Sequence, residues 1–435
     1  MGPFASVVVP TRDRPELVRY CLESLKLQTF DDFEVIVSDN FDKRPCKEVF
    51  DKIADSRFRY LTPSSQLAMS DNWEFACKNA TGKYVAVLID KTVLRPTALE
   101  AMWEAVTRQP AEIVSWWNEN YVPSDEDSGY DKGTYLRCQH WPRPAYRFDA
   151  MRELARRFKF DVRRGTEGYH YFWGKICFGA YHRNLINRIR RALGRLFFPL
   201  SPDYTSMIAA LAFARSALDI GQPLLISFIT RVSNGRLCEE SEDYMLNFLK
   251  SYRDMRVLDR LPLRGLYAST HNVVAADYSS MREMLGNAVR NLKLNRRNLL
   301  RRAHEDLNRR IWTDESRRRD QYYHWRRAFS ELGITDRVAY RLQAPGIVLR
   351  RTSASTLTRA EGFVRRRFKR FPSLRPLAAE ALFHFLPAYC EWFIHETSPR
   401  QFDSIIGAAQ YADKYYASLF RAVEGSMDKE ASLFS

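Results

Sequence analysis

Short apolar strands and amphipathic helices alternate along the first 120 residues, and this alternation constrains the fold more than any other feature. Apolar, β-branched runs predict strands, and apolar residues spaced by three and four predict helices. The predicted strands cover residues 6–9, 33–38, 58–61, 84–89 and 113–117, and the predicted helices cover 14–27, 45–53, 70–79 and 96–107. Strands that are apolar throughout are buried on both faces, so the pattern predicts an α/β fold with a mostly parallel sheet flanked by helices.

Polar residues directly follow three of these predicted strands. In chain order they are Pro10-Thr11-Arg12-Asp13, Asp39-Asn40 and Asp90-Lys91-Thr92. Ligands of open α/β sheets bind beyond the carboxyl ends of the strands, so we expect these residues to line one site. Taken singly, an aspartate at such a position could equally cap a loop.

A further candidate carboxylate is Asp203. Ser201 and Pro202 are typical first residues of a helix, and the apolar run after them predicts a helix over residues 202–218. Asp203 falls in its first turn, where the helix dipole favours an ionised carboxylate. The plain alternative is that Asp203 only stabilises the start of this helix.

The segment from about residue 120 to residue 200 is irregular and rich in aromatic residues. Such side chains could stack on a ring of a bound molecule, and the candidates for lining an acceptor site are Tyr171 and Trp173 in this segment and Trp116 just before it. Core packing is the more common role for buried aromatic side chains.

The composition is that of a folded, reduced protein of two or three domains. The chain has 435 residues, of which 45% are apolar, and its seven cysteines form no CxxC pair. This usage indicates free thiols in a cytosolic protein. Neither a signal peptide nor an apolar run of spanning length is recognisable. We therefore expect a cytoplasmic location, with a peripheral position at the inner membrane face as a further option.

The positive charge is concentrated in the C-terminal part. Residues 1–240 carry 34 Lys and Arg against 30 Asp and Glu, and residues 241–435 carry 34 against 22. This shift indicates two regions, and the almost all-helical pattern from about residue 239 onward predicts a domain of residues 1–238 followed by a basic, mainly helical domain of residues 239–435. Within the first domain the regular strand–helix alternation ends near residue 118, which divides it into two halves.

The basic helices of the predicted C-terminal domain permit more than one partner. Paired arginines between residues 296 and 327 could form a solvated face, contact an anionic membrane surface or bind an acidic glycan. Nucleic acid is disfavoured, because no nucleic-acid-binding signature accompanies the charge. Whether these helices form a homo-oligomer stays open.

Three segments together resemble glycosyltransferase family 2, which has a GT-A fold. They read SVVVPTRDRPELVRYCLESLKLQTFDDFEVIVSDN, MSDNWEFACKNATGKYVAVLIDKTVLRPTAL and SPDYTSMIAALAFARSALDIGQPLLI. The resemblance covers roughly residues 4–235 and is most specific in its N-terminal part. It implies an inverting transferase that moves a sugar from a nucleotide-sugar, most often a UDP-sugar, to a hydroxyl of a surface glycan or lipid-linked acceptor.

The resemblance also implies a role for individual residues. Pro10, Thr11 and Arg12 would contact the nucleotide. Asp39 would accept a hydrogen bond from the base, with Asn40 nearby and Asn72 closing the pocket. Asp90 would be the first acid of the DxD element, and Asp203 the catalytic base. A carboxylate can take the proton of an attacking hydroxyl, so the last role is chemically sound.

The sequence departs from the family at the DxD element, which here reads Asp90-Lys91-Thr92. Three hypotheses follow. A divalent cation, Mn²⁺ or Mg²⁺, could still bind through Asp90 and the donor phosphates. Lys91, or Arg231 or Arg236 from a later loop, could replace the metal as the counter-charge of the diphosphate. Alternatively, the domain could be catalytically silent and serve as a glycan- or partner-binding module.

Overall fold

The chain folds into two compact units. The structure, a computed structural model, describes residues 2–122, 135–138, 144–160, 171–229, 233–250, 256–341, 396–397 and 401–431. The first unit comprises residues 1–154, 169–230 and 394–435, and the second comprises residues 155–168 and 231–393. The last segment therefore groups with the first unit, whereas the sequence analysis assigned it to the C-terminal domain.

The first unit is built on one mixed sheet, which has 11 strands in the described part of the chain. They are β1 Ala5–Thr11, β2 Phe33–Asp39, β3 Phe58–Leu61, β4 Tyr84–Val87, β5 Thr92–Leu94, β6 Ile113–Val122, β7 Tyr135–Cys138, β8 Tyr146–Arg147, β9 Gly179–His182, β10 Ala217–Phe228 and β11 Glu396–Thr397. The main order is β11-β7-β6-β9-β4-β1-β2-β3, and β10 pairs with β5, β6 and β8.

The helices of the described residues fall into two groups along the chain. The first group is α1 Pro15–Lys26, α2 Lys47–Ile53, α3 Met69–Lys78, α4 Ala98–Arg108, α5 Ala150–Phe158, α6 Arg183–Leu193 and α7 Pro202–Phe213. The second group is α8 Asn234–Glu240, α9 Glu242–Lys250, α10 Val257–Arg260, α11 Thr270–Leu285, α12 Arg296–Arg309 and α13 Glu315–Ser330. A last helix, α14, runs over Ile405–Ala431.

The predicted fold class is confirmed. Strands β3, β2, β1 and β4 form a parallel block, and β10 also runs parallel to β6. Between the two parallel regions, β9 pairs antiparallel with both β4 and β6. In the parallel block Thr11 pairs with Asp39, so the carboxyl ends of β1 and β2 lie side by side.

Two predicted boundaries were wrong. The strand predicted to reach residue 89 ends at Val87, because the backbone N–H of Thr92 donates to the carbonyl of Ile89 at 2.9 Å and turns the chain. The helix predicted over residues 202–218 ends at Phe213, because Ala217 already pairs with the first residue of β6.

Helix α14 covers the β5–β10 region of the sheet in the first unit. Its apolar side chains join a core cluster whose buried members are Val93, Tyr121, Leu136, Cys138, Ile226, Phe402, Ile405, Ala408, Ala409, Ala412 and Tyr416. The buried Arg95 guanidinium donates from Nε to Asp413 at 3.1 Å. The Tyr416 hydroxyl donates to the buried Glu119 at 2.6 Å. These polar contacts fix the position of α14 along the strands.

Replacing Asp413 with alanine is expected to lower the free energy of unfolding by roughly 3 kcal/mol, because it leaves the Arg95 charge buried without its partner. Arg95 is 2% exposed, so water cannot replace the lost carboxylate. Urea denaturation followed by tryptophan fluorescence measures the change. The matched control is Asp51→Ala, which breaks the exposed Lys47–Asp51 pair and should have little effect. Equal effects of the two substitutions would contradict the prediction.

The described part of the second unit is helical, as predicted. Several of its arginines are buried rather than solvated: Arg301, Arg302 and Arg310 are each less than 9% exposed. Arg310 donates to the carbonyls of Cys238 and Ala268 at 2.6 and 2.7 Å. Part of the basic excess therefore supports the packing of this unit. No helix among the described residues is long and apolar enough to cross a membrane.

Candidate active site

Asp39 closes β2 with a carboxylate that is fully buried. Its Oδ2 accepts hydrogen bonds from the Cys46 backbone N–H at 2.6 Å and from the Tyr60 hydroxyl at 2.5 Å. Its Oδ1 has no hydrogen-bond partner among the described residues. Burial raises the pKa of Asp39, although these two hydrogen bonds act against the rise. A buried acceptor without a donor is costly, so this oxygen suits a ligand that presents an N–H group.

The two asparagines predicted near the nucleotide make backbone and strand contacts. Asn40 exchanges two hydrogen bonds of 2.8 Å with the backbone of Leu67. Asn72 accepts from the Ser38 hydroxyl at 2.6 Å. Both side chains thus hold the segments that frame the end of β2. Their predicted contact with the nucleotide stays a prediction.

The end of β1 is shaped by a turn. Pro10 pairs with Ser38 in the parallel block. Asp13 has a positive φ of 54°, and its Oδ1 accepts from the backbone N–H groups of Asp42, Lys43 and Arg44 at 2.8–3.0 Å. Arg12, between them, has a side chain that is 48% exposed and is therefore accessible to a ligand.

Asp90 lies beside the end of β1 and is 4% exposed. Its Oδ2 accepts from the Thr11 hydroxyl at 3.1 Å, and its Oδ1 lies 3.4 Å from Nη1 of Arg14. The sequence analysis missed Arg14. A basic residue just before a helix is unremarkable alone, and its partner lies 76 positions further along the chain.

Lys91 and Thr92, the other two residues of the predicted DxD element, form a turn. The Thr92 hydroxyl donates to the Ile89 carbonyl at 2.6 Å, which satisfies the side chain within its own turn. The Lys91 carbonyl accepts from the Phe228 backbone N–H at 2.9 Å. Strand β10 therefore anchors the residue that would stand at the middle of the DxD element.

The residues around Asp90 do not fit a divalent cation well. A DxD metal site needs carboxylate oxygens facing the ion, and here Asp90 is the only carboxylate of the element, paired with the Arg14 cation. Among the described residues no group of three or more His, Cys, Asp and Glu side chains could hold a metal ion. A cation would have to displace Arg14 and bind through a single protein carboxylate.

Asp203 lies in the first turn of α7, as predicted. Its side chain is 27% exposed, and its Oδ2 lies 3.6 Å from Nζ of Lys175, which is 1% exposed. The sequence analysis did not foresee this ion pair. Little in the sequence indicates it, because Lys175 is a single basic residue that follows Gly174 in an aromatic segment.

Two buried cysteines lie within electrostatic reach of the predicted site residues. Burial, together with the nearby carboxylates of Asp39 and Asp90, raises the pKa of Cys46 to about 12. Burial also raises the pKa of Cys177. Asp203 contributes to this rise, and Lys91 lowers the pKa. Asp39 and Asp90 thus act on one thiol and Asp203 on another, and all three carboxylates belong to the first unit.

The predicted acceptor aromatics have mixed surroundings. Trp116 is 3% exposed and belongs to the core cluster. Trp173 donates to the buried Asp219 and stacks on Phe148 with ring centroids 4.4 Å apart. The Tyr171 ring lies over Nζ of Lys175 at 4.1 Å. Core packing explains the positions of Trp116 and Trp173. Of the three candidates, Tyr171 is the one that contacts Lys175, the ion-pair partner of Asp203.

Of the two predicted loop arginines, Arg231 and Arg236, one lies among the described residues. Arg231 lies outside the described residues. Arg236 pairs with Glu240 within α8 at 2.7 Å, in the second unit. Its predicted contact with the diphosphate stays a prediction.

The model of glycosyl transferase family 2 matches residues 6–166. This stretch runs from β1 through the Asp39 and Asp90 segments. The family predicted from the sequence is thus confirmed for this part of the chain, which carries a family 2 glycosyltransferase domain.

Individual relatives are more distant. Glycosyltransferase GlyG of Streptococcus pneumoniae is 24% identical over 127 residues, which are 29% of this chain and 42% of the relative. The GalNAc(5)-diNAcBac-PP-undecaprenol beta-1,3-glucosyltransferase of Campylobacter jejuni is 29% identical over 114 residues, which are 26% of this chain and 37% of the relative. The chain therefore spans about two fifths of the length of these curated relatives.

Among solved structures, S. aureus TarS 1–349 in complex with UDP-GlcNAc is 13% identical with a TM-score of 0.45, covering 79% of this chain and 92% of that one. The mannosyltransferase PcManGT from Pyrobaculum calidifontis, in complex with GDP-Man and Mn²⁺, is 14% identical with a TM-score of 0.36, covering 80% and 81%.

Proposed function

We propose that this protein transfers a sugar from a UDP-sugar to an acceptor hydroxyl with inversion of the anomeric configuration. The observation that carries the proposal is the unsatisfied Oδ1 of Asp39 at the carboxyl end of a buried parallel strand. An ionised carboxylate accepts hydrogen bonds only, so Asp39 selects a base with a ring N–H, as uracil has. The family match over residues 6–166 supports the same class of donor.

In the proposed reaction the acceptor oxygen attacks the anomeric carbon directly. The new bond forms between these two atoms as the bond from the carbon to the diphosphate oxygen breaks, and its electron pair leaves with UDP. Asp203 takes the proton of the acceptor hydroxyl. A single displacement inverts the configuration, so an α-linked donor gives a β-linked product.

The diphosphate gains negative charge as it leaves, and positive groups must stabilise it. We assign this role to Arg14 and Lys91. Arg14 is held by Asp90, and a guanidinium has five N–H donors in a geometry that matches phosphate oxygens. Lys91 is adjacent in sequence to Asp90, and it lowers the pKa of the Cys177 thiol that Asp203 raises.

The acceptor proposed here is a glycan or a lipid-linked glycan. The Campylobacter jejuni relative, named as a glucosyltransferase of GalNAc(5)-diNAcBac-PP-undecaprenol, supports an acceptor of this kind. A place at the inner face of the cytoplasmic membrane would suit a lipid-linked acceptor, and the basic residues of the second unit would favour such an anionic surface.

A catalytically silent domain is the second candidate function. It is favoured by one observation: Lys91 and Thr92 occupy positions where the family commonly has acids. This candidate predicts that the protein binds UDP-sugars but neither transfers nor hydrolyses them, so an assay of UDP release separates the two functions.

Replacing Asp39 with asparagine is expected to weaken UDP binding by about 10- to 100-fold, because a hydrogen bond to a charged group contributes roughly 1.5–3 kcal/mol. The substitution should also narrow the preference for UDP over CDP, since cytosine presents an acceptor where uracil presents its N–H. Isothermal titration with UDP and CDP measures both effects. Asp32→Asn, at the exposed opposite end of β2, is the matched control. Unchanged UDP affinity in Asp39→Asn would reject the base-binding role.

A further inference from the structure

A buried lysine accompanies the proposed base. Lys175 precedes the 3-10 turn Ile176–Phe178, and its side chain is 1% exposed. Burying an ammonium group is costly unless an opposite charge compensates. Asp203 supplies that charge at 3.6 Å, so the pair is built into the fold and is not a chance contact of two mobile surface side chains.

Two aromatic rings complete the surroundings of the ammonium. Nζ of Lys175 lies 4.1 Å from the ring centroid of Tyr171 and 4.0 Å from that of Tyr204, the residue after Asp203 in α7. Faces of aromatic rings attract cations at such distances. Burial alone would lower the pKa of Lys175, but Tyr171, Tyr204 and Asp203 raise it well above its usual value. The ammonium is therefore charged at neutral pH and held from several sides.

We propose that Lys175 is a positioning residue for the base: its caged ammonium holds one oxygen of Asp203 through the ion pair and so fixes the orientation of the carboxylate. The Asp203 side chain remains 27% exposed, as a base that must meet an acceptor hydroxyl requires. This proposal rests on the proposed function, because it concerns the same carboxylate.

The other titratable groups near Asp203 do not replace this cation. Cys177 and Tyr181 are buried, and burial raises the pKa of each, so both are neutral at physiological pH. Tyr171 and Tyr204 face the ammonium with their rings. Lys91 acts on Cys177 from the turn after β4 and is assigned to the diphosphate. Lys175 is thus the charged group in direct ion-pair contact with Asp203 among the described residues.

The test removes the charge while keeping the bulk. Lys175→Met has a side chain of similar length without the charge, and the Asp203 carboxylate that it leaves unpaired is partly exposed to water, which limits the cost of losing its partner. Lys175→Gln, polar but neutral, is the second variant in case the first does not fold. Lys175→Arg keeps the charge, and Tyr204→Phe keeps the ring, so both serve as controls. Circular dichroism and thermal melting verify folding.

Two readouts are compared in the full chain. The rate of UDP release from UDP-glucose is measured, with kcat and KM determined separately. We expect kcat of the neutral variants to fall at least about tenfold and Lys175→Arg to retain most of it, because only a charged side chain can hold the Asp203 carboxylate in one orientation. KM for UDP-glucose should stay unchanged. An equal loss of kcat in Lys175→Arg and in the neutral variants would show that Lys175 supports only the packing of the site.

The second readout needs no activity. In protein labelled with [4-¹³C]aspartate, the Asp203 signal is assigned by its disappearance in Asp203→Asn. We expect its chemical shift at neutral pH to change in Lys175→Met relative to the wild type, because the ammonium no longer holds the carboxylate. An unchanged signal would overturn the proposal even if the enzyme is active. If the wild type releases no UDP from UDP-glucose, the shift of this signal still decides the role of Lys175, and only the proposed function is in doubt.

Discussion

Replacing Asp203 with asparagine is expected to lower the rate of sugar transfer by roughly 10²- to 10⁴-fold, the usual contribution of a general base. The affinity for UDP should stay within about twofold of the wild type, since Asp203 is assigned to the acceptor hydroxyl and not to the nucleotide. The amide is nearly the same size as the carboxylate but cannot take a proton. The initial rate of transfer and the Kd for UDP, measured on the same preparation, give both quantities.

The matched control for Asp203→Asn is Glu100→Gln. Glu100 is likewise an acid in the first turn of a helix, α4, and its carboxylate accepts a hydrogen bond from the Thr29 hydroxyl. The control removes the same charge from the first turn of another helix without touching the proposed site. A rate of sugar transfer equal to that of the wild type in Asp203→Asn would contradict the assignment of Asp203 as the base. UDP binding without transfer or hydrolysis in the wild-type protein would instead favour the silent domain.

Much of the fold could be predicted from sequence because buried parallel strands leave a simple signal. The run before Asp90 is apolar throughout and the run before Asp39 is mostly apolar, so their strand character and the placement of the carboxylates at the strand ends follow from periodicity and the geometry of open sheets. The family resemblance added the order of the carboxylates. Neither source shows which side chains contact one another.

What the sequence could not supply are contacts between distant segments. Arg14 meets Asp90 across 76 positions, and Asp413 of α14 meets Arg95 across 318. Each of these residues looks like an ordinary charged residue in its local sequence. Composition placed α14 in a basic C-terminal domain, yet its apolar face is completed by β5 and β10 of the first unit. Such pairing depends on tertiary packing, which single-sequence patterns do not encode.

Metal chelation is expected to leave the transfer rate within about twofold of its original value, whereas Arg14→Met and Lys91→Met should each lower kcat by roughly 10²-fold. The magnitude is that of removing one preorganised group from a developing negative charge. The reason is the composition of the site, because Asp90 is the only acid of the predicted DxD element and already forms an ion pair with Arg14. Initial rates with excess EDTA, and then with added Mn²⁺, measure the first effect. A rate abolished by EDTA and restored by Mn²⁺ would contradict the assignment.

The double variant Arg14→Met with Asp90→Asn separates the two roles that Arg14 could have. If Arg14 serves only to neutralise Asp90, removing both charges should restore kcat, because no uncompensated buried carboxylate is left. If Arg14 stabilises the leaving diphosphate, kcat should stay low, and we expect this outcome. Arg19→Met is the matched control, since Arg19 lies on α1, has a side chain that is 51% exposed and pairs with Glu23. Recovery in the double variant would leave Lys91 as the assigned counter-charge and remove Arg14 from the reaction.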